Sequence, residues 1–139
     1  MTDPFNLQRF VDAQAPVYAD VLDELRAGEK TTHWIWFIFP QIKELGRSSI
    51  ARYYGISSLA EAAAYLEHPL LGQRLLECTE LMLAANGKTA LKILGSPDDL
   101  KFRSCMTLFM AANPTLPVWD AAIRKYFGGK ADAATIALL

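Results

Sequence analysis

His33 stands at the mouth of an uninterrupted apolar run, Trp34-Ile35-Trp36-Phe37-Ile38-Phe39, closed by Pro40 and Gln41. An imidazole titrates near neutral pH, which suits general acid/base work. The same ring serves equally as a plain hydrogen-bond partner for nearby backbone. Beyond the run come Ser48, Ser49, Arg52, Tyr53 and Tyr54. Far along the chain, Lys101 and Ser104 stand three apart in an otherwise apolar helical pattern, so they share a face. Their plain roles are a lysine stretching to the surface and a serine bonding a carbonyl of its own helix. Their functional role is one wall of a wet cleft. Cations, hydroxyls and amides beside Trp and Tyr rings suit a flat, anionic small molecule. The expected hollow lies between residues 33–54 and helix 97–112, and it is a candidate for catalysis as well as binding. In it His33 is the acid/base or donor, and Lys101 and Arg52 contact the anion. Gln41, Ser48 and Ser104 orient the molecule, and Trp36 or Tyr53 stacks on it.

Other chemistries find less support. Gly87-Lys88-Thr89 resembles the end of a phosphate loop, but Met82 stands where that loop needs glycine, and a helical pattern precedes it instead of a strand. No dinucleotide fingerprint occurs, so no cofactor is expected. His33, His68, Cys78 and Cys105 lack the short paired spacing of a zinc site, so no metal is expected either. Ser48, Ser49 and Ser104 lack a nucleophile elbow. Asp98 and Asp99 are explained as acids at a helix start. His68, before Pro69, reads as a structural joint.

The totals narrow the class further. The chain has 139 residues with 14 basic and 15 acidic side chains, a net charge of −1. That length suits one domain, 1–139, with one core. Without a positive excess, nucleic acid is not an expected partner. The longest apolar run is far short of the ~20 residues a bilayer span needs, so no membrane is expected. The start, MTDPFNLQRF, lacks the layout of a signal peptide, so a cytoplasmic location is expected. Cys78 and Cys105 are then free thiols, buried within apolar helical patterns.

Those candidate residues need elements to hold them, and the pattern is helical throughout. Asp3-Pro4 predicts a helix start, with Phe5, Leu7, Phe10 and Val11 on its inner side. A second stripe, Val17, Val21, Leu22 and Leu25, ends at Gly28. Residues 1–26 hold five acids against Arg9 and Arg26, which predicts a solvated acidic face. The run 34–39 has no partner strand, and an unpaired buried strand would orphan its backbone, so it is expected to be helical and broken by Pro40. A turn at 45–47 leads to a short helix, 49–54. Ser58 to Glu61 is a capping box. Helix 70–86 closes at Asn86-Gly87, and 88–94 closes at Gly95. Ser96-Pro97-Asp98-Asp99 predicts a capped start for helix 97–112, apolar almost all round and therefore central. Helices 117–127 and one from Asp132 onward finish an all-α domain of about eight short helices around that buried one.

The stretches DPFNLQRFVDAQ (3–14), HWIWFIFPQ (33–41), AEAAAYLEHPLLGQRLLE (60–77), GSPDDLKFRSCMTLF (95–109) and the tail through ADAATIALL carry a resemblance covering nearly the whole chain. It resembles a bacterial family known as domain of unknown function 1810, whose members have also carried the label calpastatin. That inhibitor is disordered and polar, unlike this apolar chain. Members read Gly-Leu-Gly where this chain has Glu44-Leu45-Gly46, and Ser-Ser where it has Ser104-Cys105. The resemblance implies a small all-helical domain and no established activity, cofactor or catalytic residue. Two functions are therefore expected in competition: a pocket for a small anionic or nucleotide-like molecule, and a non-enzymatic module for a protein partner or a second copy.

Overall fold

Helix α8, Asp98–Ala112, is the axis on which the computed structural model, which describes residues 2–139, is built. Phe102, and the whole stretch Ser104 to Phe109, are buried, so the helix meets neighbours on nearly every side. It packs on α5 (Leu59–Glu67), α7 (Ala90–Leu94), α9 (Val118–Phe127), α10 (Ala133–Leu138) and the short α3 (Ile35–Ile38). The expected contact with the aromatic run is made edge to face, with the Phe39 and Phe102 rings 4.7 Å apart. The remaining helices are α1 (Gln8–Gln14), α2 (Tyr18–Ala27), α4 (Ser49–Tyr53) and α6 (Leu71–Ala84), with a 3-10 turn at Lys43–Leu45. The fold is all-helical, and among the described residues the one β-type contact is a parallel bridge between Ile42 and Ile56. Ten α-helices occur among the described residues, against about eight expected; the short stretches expected at 34–39, 49–54 and 88–94 are present as α3, α4 and α7, each of four or five residues.

The caps are mostly those written in the chain. Ser48, Ser58 and Thr89 accept the backbone N–H three residues on, at 3.1 Å in each case. Gly28 ends α2 in the left-handed conformation. Two starts differ from expectation. Asp3 does accept first-turn donors, Leu7 N–H at 2.8 Å and Gln8 N–H at 3.0 Å, which hold its carboxyl below the usual range. Yet the helix begins only at Gln8, because Asn6 turns the chain with φ 52°. Ser96 does not cap α8. The carbonyls of Gly95 and Pro97 take the N–H groups of Asp99, Leu100 and Lys101 instead.

The acidic N-terminal face is more than solvated. Arg9 and Glu61 form a buried ion pair at 2.8 Å, their side chains 8% and 3% exposed. Glu24, beside α3, accepts from Thr31 N–H, Thr32 N–H, the Thr32 hydroxyl and Trp34 Nε1 at 2.6–3.1 Å. It thereby pins the loop that feeds the aromatic run. Burial pulls its pKa up, but those four donors outweigh burial and leave it at about 2. Because the folded value lies below the unfolded one near 4.5, this stabilisation is complete above pH 4.5 and is lost as pH falls toward 2. Glu24→Gln is therefore expected to flatten the acid limb of a stability-against-pH curve between those values. An unchanged limb in urea melts would show that the four bonds do not discriminate charge.

Candidate functional site

Positions 97, 100, 101 and 104 fall on one helical stripe, and Pro97 at the N-cap of α8 with Leu100, Lys101 and Ser104 within it form one wall of a hollow of about 420 Å³. A second wall is the segment from Gln41 to Ala51. Pro40 and Gln41 stop α3, the 3-10 turn brings Leu45 and Gly46 forward, and Ser48 caps α4, so Gln41, Leu45, Gly46, Arg47, Ser48 and Ala51 reach the same space. The third wall is Asp132 and Ala134 at the start of α10. The parallel bridge steadies the second wall: Ile56 N–H donates to Gln41 O at 2.9 Å and Lys43 N–H to Ile56 O at 2.8 Å.

Of the residues singled out from sequence, Gln41, Ser48, Lys101 and Ser104 meet here. Trp36 stands behind them, half-buried, with Lys101 Nζ 5.4 Å from its ring centroid. Three do not join. His33 is exposed and does not line this hollow. Arg52 and Tyr53 line a separate, smaller hollow of about 300 Å³ with Asn6, Lys43 and Ser57. Within α4 the split is rotational about Ala51, the helical residue that faces this hollow: residues 52 and 53 are turned ~100° and ~200° beyond it.

Two charged residues of the hollow were missed. Arg47 read as turn punctuation and Asp132 as a helix start, and each is that as well. Asp132 Oδ2 accepts from Thr135 N–H at 3.1 Å, the Thr135 hydroxyl at 2.5 Å and the Ser104 hydroxyl at 3.1 Å. Ser104 Oγ is also 3.1 Å from Leu100 O, so the plain and the functional role coincide in one hydroxyl. Asp132 N–H donates to Thr107 Oγ1 at 2.9 Å, and Arg103 holds the carbonyls of Lys130 and Ala131. Nothing in the local sequence around Asp132 announces that α8 will grip it.

The remaining candidates are structural. His68 Nδ1 accepts from Leu70 N–H and Leu71 N–H at 3.1 and 3.2 Å, and so serves the start of α6. Cys78 and Cys105 are free and buried. Burial pushes the Cys78 thiol up to about 12, against a smaller lowering by the Tyr18 hydroxyl, and burial raises Cys105 strongly. No group of three or more His, Cys, Asp or Glu side chains suited to a metal occurs among the described residues. No helix among them is long and apolar enough to cross a membrane.

The fold has a close solved counterpart. The crystal structure of the conserved hypothetical protein Rv1873 from Mycobacterium tuberculosis is 55% identical to this chain, with a TM-score of 0.97, 99% of this chain covered and 98% of that one. No curated protein matches. The aromatic run, the α8 stripe and the tail all lie within residues 4–139, the span that matches the family described as "Protein of unknown function (DUF1810)", and the chain belongs to that family.

Proposed function

We propose that the hollow between α8, the 41–51 segment and α10 binds a small anionic molecule. The observation that carries this is the pair Arg47 and Lys101. They come from different elements, they border the same space, and neither is ion-paired with a carboxylate within 4.0 Å among the described residues. Ser48 and Gln41 add polar groups, while Leu45, Ala51, Leu100 and Ala134 offer apolar surface for an organic body. Lys101 over Trp36 is held at one place on the wall, so less freedom is lost when an anion arrives. The reading is one of binding, because the histidine proposed as acid/base stands outside the hollow.

The test is thermal melting with inorganic phosphate, AMP and ribose 5-phosphate. A ligand at a hundred times its Kd adds about 2.7 kcal/mol, a rise of roughly 8 °C for a domain of this size. Arg47→Met and Lys101→Met are each expected to weaken binding about tenfold, the loss of one charge-assisted hydrogen bond. A shift that persists in the double variant would place the ligand elsewhere. A second reading, a surface for a protein partner or a second copy, is favoured by Ile50 and Tyr53, 41% and 57% exposed on α4. No melting shift, together with a concentration-dependent dimer that Tyr53→Asp dissolves, would support it instead.

A further inference from the structure

We propose that this hollow selects a small zwitterion, an anionic group joined by a short chain to an amine, over a simple anion. The inference rests on the anion-binding reading and concerns the residue that reading leaves unused, Asp132. A carboxylate lining an anion site repels a purely anionic occupant, so its presence asks what it is for. It is not ion-paired with Lys101, Arg47 or any other described cation within 4.0 Å. Its three donors, Thr135 N–H, the Thr135 hydroxyl and the Ser104 hydroxyl, all fall on Oδ2. They fix the carboxylate and leave Oδ1 as an acceptor for a ligand. The group is also immobile. Asp132 N–H is tied to Thr107, and Arg103 clasps the two preceding carbonyls, so the carboxylate cannot swing away when an anion enters.

The complement of an immobile carboxylate is an ammonium, which has three donors and no acceptor. Ser104, which holds Asp132, lies one turn beyond Lys101 on α8, so the carboxylate and the Lys101 cation border one hollow from the same face of the helix. A short connecting chain lets one small molecule bring an amine to the first and an anionic group to the second. Leu100 and Ala134 border the same space and suit the connecting methylenes.

The experiment titrates the full chain with O-phosphoethanolamine, ethyl phosphate and ethanolamine, read by calorimetry and by amide shifts at Gly46, Ser48 and Ser104. The expected result is binding of O-phosphoethanolamine about tenfold tighter than ethyl phosphate, the worth of one charge-assisted bond. In Asp132→Asn the ratio should fall to about one, with ethyl phosphate bound at least as well as before. Asparagine keeps the helix cap, and Asp132→Ser, which also keeps a capping oxygen, repeats the test should the first variant unfold. Equal binding of the two phosphates by the native protein, or a preference that survives both variants, overturns the zwitterion proposal and leaves the anion reading standing. Failure of every phosphate to shift those amides overturns both.

Discussion

Arg9→Met is expected to cost about 3–5 kcal/mol, the range for breaking one half of a buried ion pair, and to lower Tm by roughly 10 °C or more. The guanidinium is saturated. Nη2 donates to Glu61 at 2.8 Å and to Gly55 O at 3.0 Å, Nε to Tyr53 O at 2.8 Å, and Nη1 to Phe5 O at 2.6 Å and Asn6 O at 2.8 Å. Its partner Glu61 also accepts the N–H and hydroxyl of Ser57, both at 2.8 Å. Removing the arginine takes this donor from four carbonyls and leaves the Glu61 carboxylate, 3% exposed, without its counter-charge. These contacts join α1 to the 53–57 loop and to α5, beside the packing of Phe10 on Tyr54 and Tyr65. The double variant Arg9→Met, Glu61→Leu should be less destabilised than the two single changes together, because it leaves no lone buried charge. Urea unfolding of the four proteins measures this. Single costs below about 1 kcal/mol that add would mean the pair behaves as a solvated surface bridge.

Gly72→Ala is expected to destabilise by more than about 3 kcal/mol, beyond the usual range for overpacking. Helix propensity alone predicts the opposite sign, since alanine is favoured over glycine inside a helix by about 1 kcal/mol. The junction of α5 and α6 reverses it. A Cβ at position 72 would lie 2.1 Å from the Leu66 carbonyl oxygen and 2.9 Å from its carbon, and backbone has no rotamer to escape into. A milder version guards the candidate site. A Cβ at Gly55 would meet Lys43 Cα at 2.5 Å, so Gly55→Ala should cost about 2 kcal/mol and displace the wall that carries Gln41 and Arg47. Chemical denaturation gives the energies, and amide shifts at Gly46 and Ser48 report the wall. A Gly72→Ala protein as stable as the parent would show that α5 and α6 separate freely.

The residues of the site were legible in proportion to how local their placement is. Lys101 and Ser104 share a wall because helical spacing puts them there. Gln41 and Ser48 flank the aromatic run because a segment that apolar is swallowed and its polar ends are left at the rim. Arg52 and Tyr53 line a different hollow for a rotational reason: on a five-residue helix, one or two positions beyond Ala51 turn a side chain away from it. His33 is exposed outside this hollow, on the loop whose neighbours Thr31, Thr32 and Trp34 are held by Glu24, an acid the sequence shows only as part of a solvated face.

By itself the sequence determined the helical class, the cap at Ser58, and the central place of α8. These depend on contacts within a few residues and on apolar periodicity, which a linear pattern records. Tertiary structure alone decided that Arg9 is buried against Glu61, that Gly72 must lack a side chain, and that Arg47 and Asp132 share a hollow with Lys101. Each of those facts sets two distant stretches of chain within a few ångströms, and no local preference of either stretch carries the other's address.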